Sequence, residues 1–188
     1  PQCGLEPRAV TRQVLRWRLV GPGDAQHAKP DQQRRAYGDR NRDDVPDGDP
    51  EVLLDGFGLE DAQSLANHLT WGPDGWLYWS RGIFNVSTTE TPTRTARSEQ
   101  SGVHRFNPRT FEVEFHYPIG PNPHGDVFDQ WGYQFANDGT GGSGGYVNIG
   151  KGVSNKQWFQ KRVRPVAATG ILSSSHFPEK NQGNFLIC

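Results

Sequence analysis

An all-β chain built from repeated antiparallel hairpins is what the sequence predicts, on three observations. Glycine and proline, 23 and 14 of 188 residues, supply more turn punctuation than a helical protein uses. Short apolar–polar alternations such as "FEVEF" recur between those turns, the pattern of half-buried strands. One hairpin-like string also occurs twice. Trp71-Gly72-Pro73-Asp74-Gly75-Trp76-Leu77-Tyr78 overlays Phe128-Asp129-Gln130-Trp131-Gly132-Tyr133-Gln134-Phe135 at an offset of 57 residues. A fainter echo, Gly183-Asn184-Phe185-Leu186-Ile187, falls 51 residues after Gly132. Hairpins recurring about every 50 residues predict a β-propeller, whose blades are small antiparallel sheets. A sandwich would give short strands without the self-similarity.

The elements follow in chain order. Residues 1–38 read as a poorly defined N-terminal segment, and 39–188 as the propeller. Within the first segment "AVTRQVLRWRLV" alternates like a strand, while "GPGDAQHAKPDQQRRAYG" reads as loop, a basic stretch that is solvated rather than a partner site. From Asp39 the charge reverses. Nine acidic residues face only Arg40 and Arg42 over 39–61, and "EVLLDGFG" then forms a strand that ends in a glycine turn. After the first repeat comes "GVHRF", a turn at "NPRT", and the strand "FEVEF". Two tracts read as long inter-strand loops: the Ser/Thr-rich 85–102 and the Gly-rich 137–152. The second lacks the spacing of a phosphate cradle. "QWFQKRVRPV", residues 157–166, reads as an edge strand guarded by charge.

Bulk properties exclude some functions. A net charge of −1 argues against nucleic-acid binding, and no stretch approaches the roughly 18 apolar residues of a membrane span. Cys3 and Cys188 sit at opposite ends and read as free thiols, neither a disulfide framework nor a metal pair. The absence of Met and the ending "GNFLIC" in an apolar run suggest a piece of a longer chain, truncated at its C-terminus.

"LTWGPDGWLY", "NPHGDVFDQWGYQFANDG" and "ATGILSSSHFPEKNQGNFLIC" resemble successive blade motifs of the soluble glucose and sorbosone dehydrogenase propellers. More closely, "GFGLEDAQSLANHLTWGPDGWLYWSRGIFNVS" resembles the bacterial PVC-type membrane-bound dehydrogenases. The resemblance covers about residues 39–188. It implies about three blades of a six-bladed propeller of four-stranded blades, with the remaining blades and downstream domains elsewhere in the full-length chain. It also implies an exported, periplasmic or membrane-associated protein that oxidises a sugar, polyol or sorbosone with pyrroloquinoline quinone. The chain contains no Cys-x-x-Cys-His, so this segment carries no covalent haem.

Candidate site residues divide into two groups. Asp39, Asn41, Asp43 and Asp47 occupy positions 1, 3, 5 and 9 of "DRNRDDVPD", the spacing of Ca²⁺ loops. The resembled family often carries such a loop before this strand. Asp44 replaces the turn glycine and Pro50 the closing acid, which excludes an EF-hand and leaves either a looser Ca²⁺ loop or a solvated acidic turn. The second group concerns catalysis. The family's base is a histidine five residues before Leu69, where this chain has Ser64; His68 instead directly precedes Leu69 and needs a different bend to do the same work. The family's cofactor motif is matched at Asn122, while Pro121 replaces its basic residue and His124 its amide. His68, His124 and Asp126 begin successive blades and can converge near the axis, even as a metal set, though Asp61, Asp126 and Asp138 also read as turn formers. Each histidine is equally explained as an imidazole satisfied by a strand-end carbonyl. A non-catalytic carbohydrate- or protein-binding propeller and a calcium-stabilised matrix module therefore stay beside the enzyme reading. The aromatics of "LTWGPDGWLYWSRG" read mainly as blade packing, since Trp71, Trp76 and Tyr78 recur as Phe128, Tyr133 and Phe135.

Overall fold

A computed structural model describes residues 16–19, 34–39, 41, 43–49, 51–58, 65–141, 143–148, 152–155, 164–166 and 168–188. Among them every sheet is antiparallel and no α-helix occurs. β1 (Arg16–Leu19), β2 (Arg34–Asp39) and β3 (Glu51–Leu54) form a three-stranded sheet. β4 (Asn67–Trp71) and β5 (Leu77–Arg81) begin a second sheet. A separate hairpin, β6 (Ser87–Glu90) and β7 (Thr95–Ser98), interrupts it before β8 (Gly102–Asn107) and β9 (Glu112–Pro118) complete the order β4-β5-β8-β9. β10 (Pro123–Phe128), β11 (Tyr133–Asp138), β12 (Ser143–Asn148) and β13 (Gly152–Asn155) make a four-stranded meander. β14 (Thr169–Ile171) pairs with β15 (Phe185–Ile187). The described residues close no ring of sheets.

The sequence repeat is a repeat of hydrogen bonds. Gly72 N–H donates to the Trp76 carbonyl, Asp129 N–H to Tyr133, and Leu172 N–H to Asn184. Gly75, Gly132 and Gly183 then donate back to Gly72, Asp129 and Leu172, each at a φ near +80°, where a Cβ is disfavoured. Strand register agrees: Trp71 faces Leu77, Phe128 faces Gln134, and Ile171 faces Phe185. The faint third echo is thus the same hairpin, enlarged by a turn that contains a short 3₁₀ segment, Glu179–Asn181.

Burial shows how the sheets stack. β5 is buried along its whole length, so its two faces serve two cores. Trp79 packs with Leu53, Leu54, Phe57, Phe106 and Val113 toward the first sheet, while Tyr78 packs with Val103, Ile119 and Ala136 toward the third. The Tyr78 ring meets Phe128 edge-on at 4.9 Å, and Phe135 meets Phe185 in the same way at 4.7 Å. The starting strands β4, β10 and β14 lie side by side, with β10 in the middle.

Several expectations change. The Ser/Thr-rich tract is not one loop: its threonines, β-branched and suited to a pleated surface, form the β6–β7 hairpin. That hairpin docks on the glycine turn after β3, through Thr88 N–H to the Gly56 carbonyl and Ser87 Oγ to the Phe57 carbonyl. The Gly-rich tract pairs through its backbone as β12 and the start of β13, since ladder bonds need no side chain. Residues 34–38, read as loop, belong to β2, which runs through Asp39 and pairs with β3. Most of "QWFQKRVRPV" lies outside the described residues; Arg164 to Val166 form no strand.

Candidate functional site at the strand starts

Two neighbouring starting strands each carry a β-bulge, and each bulge holds a histidine. In β4 the register slips between Asn67 and Thr70, and His68 within it takes φ 52°, a left-handed value unusual for a side-chain-bearing residue. In β10 the slip falls between Pro123 and Gly125, with His124 as the extra residue. Bulges re-aim side chains, and these two set their histidines on adjacent strands. His68 is half-buried, with the Asp126 backbone and the His124 ring close enough to act on its charge. Burial holds the His68 pKa below the usual imidazole value; the Asp126 backbone partly opposes this, and His124 adds to it.

Beside His124 lies a cavity of about 500 Å³ lined by Asn122, His124, Gly139, Thr140, Arg164, Pro165 and Val166. Asp138 organises its rim. One carboxylate oxygen accepts the N–H groups of Asn122 (3.0 Å) and Thr140 (3.3 Å), and the other accepts Gly141 N–H (2.7 Å). Gly139 admits no Cβ, which would collide with the His124 ring and the Val166 carbonyl. Arg164, from the segment before β14, adds a guanidinium to this lining. No signal in the sequence near Asn122 pointed to it.

Asp126 behaves differently from the turn former expected. It is fully buried within β10; burial pushes its carboxyl up to about 7, although Gln134 Nε2 donates to it at 2.5 Å. Its backbone, not its carboxylate, meets His68. Among the described residues no group of three His, Cys, Asp or Glu is placed to hold a metal ion. Ser64 and Asp61 lie outside the described residues.

The acidic loop is exposed. Asn41 Nδ2 donates to Asp43 Oδ2 at 2.9 Å, Asp43 Oδ1 accepts Val45 N–H at 2.8 Å, and Asp47 is exposed nearby in sequence. Asp44 takes φ 63°, the conformation of the glycine it replaces. Asp39 ends β2; its side chain lies outside the described set.

With this geometry in place, a family model matches residues 32–188. The chain belongs to the family described as Domain of unknown function (DUF7133). The DUF7133 match takes in β2 through β15, and so both bulged strands and the cavity beside them. No curated protein matches the chain. No helix of the described residues is long and apolar enough to cross a membrane.

Proposed function

We propose that this DUF7133 chain is part of a six-bladed β-propeller dehydrogenase, exported and related to the glucose/sorbosone and PVC-type enzymes, with its active site at the starts of β4, β10 and β14. The observation that carries the reading is the pair of histidine-bearing bulges. Burial favours the neutral form of His68, and its contact with the Asp126 backbone orients the ring. A neutral, oriented imidazole is a competent general base for a hydroxyl proton. The neighbouring donors suit an oxygen-rich anion: Arg164 offers a guanidinium fork, Asn122 an amide and Thr140 a hydroxyl. Pyrroloquinoline quinone, when bound there, supplies a two-electron hydride acceptor. His68 takes the hydroxyl proton of a sugar, polyol or sorbosone-type substrate as its carbinol C–H is lost, and His124 and Asn122 position the oxygen atoms around it.

The test is dye reduction by the intact protein given the quinone, Ca²⁺ and a panel of aldoses, polyols and sorbosone. Turnover that falls about a hundredfold or more in His68→Asn is expected, the scale of a lost general base. No dye reduction with any member of the panel would sink the enzyme reading. A second reading is favoured by Pro121 and by Ser64 at the family's base position: the same site binds a carbohydrate or protein ligand without turnover. Saturable ligand binding without dye reduction would favour it.

A Ca²⁺ ion held by Asp39, Asn41, Asp43 and Asp47 belongs to the same proposal, supported by the glycine-like turn at Asp44. Excess Ca²⁺ is expected to raise the melting temperature over that in a chelator, since a native-state ligand stabilises by mass action. An unchanged transition would count against the ion.

A further inference from the structure

The opposite ends of the same three strands form a second cleft, of about 690 Å³. The strand ends Trp71, Phe128 and Ile171 meet there with the turns that follow them. Its size falls in the range of about 300–1,000 Å³ common to small-molecule sites. Two indoles line it with much of their surface exposed, Trp71 at 45% and Trp131 at 77%. This separates Trp71 from Tyr78, which is fully buried, although the two share one motif. Trp131 stands on a turn that is already fixed. Asp129 Oδ1 accepts both Trp131 N–H (2.9 Å) and Tyr133 N–H (2.8 Å), and Gly132 closes the turn at φ 84°. A large apolar ring held in water on a rigid turn loses little freedom when it stacks on a ligand.

We infer that this cleft binds a neutral carbohydrate, with pyranose C–H faces stacked on Trp71 and Trp131. The polar lining suits hydroxyl groups: Thr70 and Ser173 can donate or accept, and Gln130 carries a full amide. Gln182 Nε2 is engaged by the Ser174 and Phe177 carbonyls, which leaves its Oε1 as an acceptor. Among the described residues no Lys, Arg or His lines the cleft, and the one carboxylate among them is tied to turn amides, so they offer an anionic ligand no counter-charge. The two cavities share no lining residue; along the strands His68 stands two residues before Thr70 and His124 three before Val127, roughly 7–10 Å at 3.3 Å per residue. The two sites are distinct.

The test is calorimetric titration of the intact protein with neutral hexasaccharides: cellohexaose, xylohexaose, mannohexaose and laminarihexaose. Saturable binding of at least one is expected, weakened about tenfold or more by Trp131→Ala, an exposed position where folding is not at stake. Trp131→Phe should restore part of the affinity, and His68→Asn should leave it unchanged. Binding to none of the four, or equal binding by wild type, Trp131→Ala and Trp71→Ala, overturns the proposal. So does concentration-dependent self-association abolished by Trp131→Ala, which would make a second copy of the chain the occupant.

Discussion

His68 and His124 owe their directions to single slips of register, and that makes their chemistry testable one residue at a time. Burial lowers the His68 pKa, so the neutral form of the base predominates at the ordinary imidazole value. Turnover should therefore persist below pH 6.5 and decline only through the lowered His68 value. A rate already halved above pH 7 would contradict His68 as the base. Asp126 gives a stability prediction of defined sign. Its carboxyl is raised to about 7 in the folded chain, against an ordinary value near 3.8. Below that ordinary value both states hold the proton and nothing is lost; between it and about 7 the unfolded chain ionises first, so the folded state is progressively disfavoured, and above 7 the loss is complete. Asp126→Asn should therefore match wild type near pH 3 and become the more stable protein above pH 7 in denaturant titrations. A difference that does not change with pH would contradict the raised value. His104 acts in the other direction. Stacked on Trp79 and buried, with Arg81 adding to the effect, it is pushed down to about 3. The unfolded chain protonates it near 6.5, so this contribution to stability is lost as pH falls below that value. Of these residues the sequence marked His68 and His124 as candidates beside the resembled family's motifs, His68 out of step with the base position and His124 in place of an amide. It weighed Asp126 as a third metal ligand beside them or as a turn former and missed its full burial, because burial is a property of stacked sheets and not of a local Gly-Asp pair.

At the scale of elements, the backbone positions are more demanding than the side chains. Gly125 sits where any Cβ would overlap Asn137 Oδ1 and Thr169 Oγ1. Asn137 in turn joins β11 to the β14 segment, accepting from Thr169 Oγ1 (3.2 Å) and donating to the Val166 carbonyl (3.4 Å). Gly125→Ala should cost about 1–3 kcal/mol, the scale of overpacking, and widen the cavity at Arg164. An unchanged melting curve would show that β10 and β14 do not approach this closely. The β6–β7 hairpin depends on Thr91, whose Oγ1 donates to the Phe111 carbonyl (2.7 Å) and accepts Arg94 N–H (3.0 Å). Thr91→Val should remove about 1 kcal/mol, read as a lowered melting temperature. The repeated hairpins were legible because each needs a glycine at positive φ and aromatic neighbours at fixed offsets. The β6–β7 and β12–β13 strands were not, because tracts rich in Ser, Thr or Gly lack the apolar alternation that marks a strand. Their pairing comes from neighbours already in place. Arg164 was hidden for a related reason: it lines the same cavity as Asn122 from 42 residues away, beyond any local motif.

The whole molecule places its two candidate sites by one geometric fact, that β4, β10 and β14 run side by side. Their starts carry His68, His124 and the Arg164 cavity; their ends carry Trp71, Phe128 and Ile171 around the aromatic cleft. The stacking of sheets through two cores, one on each face of β5, suits blades that follow one another around an axis. The resemblance to dehydrogenase propellers and the 57-residue repeat point the same way. The most direct measurement is a cryo-electron microscopy or crystal structure of the intact protein. Six sheets around a central axis are expected, with β4, β10 and β14 as innermost strands, the histidines at one mouth and the tryptophans at the other. An open stack or sandwich that carries His68 and His124 on separate faces would contradict the shared axis and, with it, both sites.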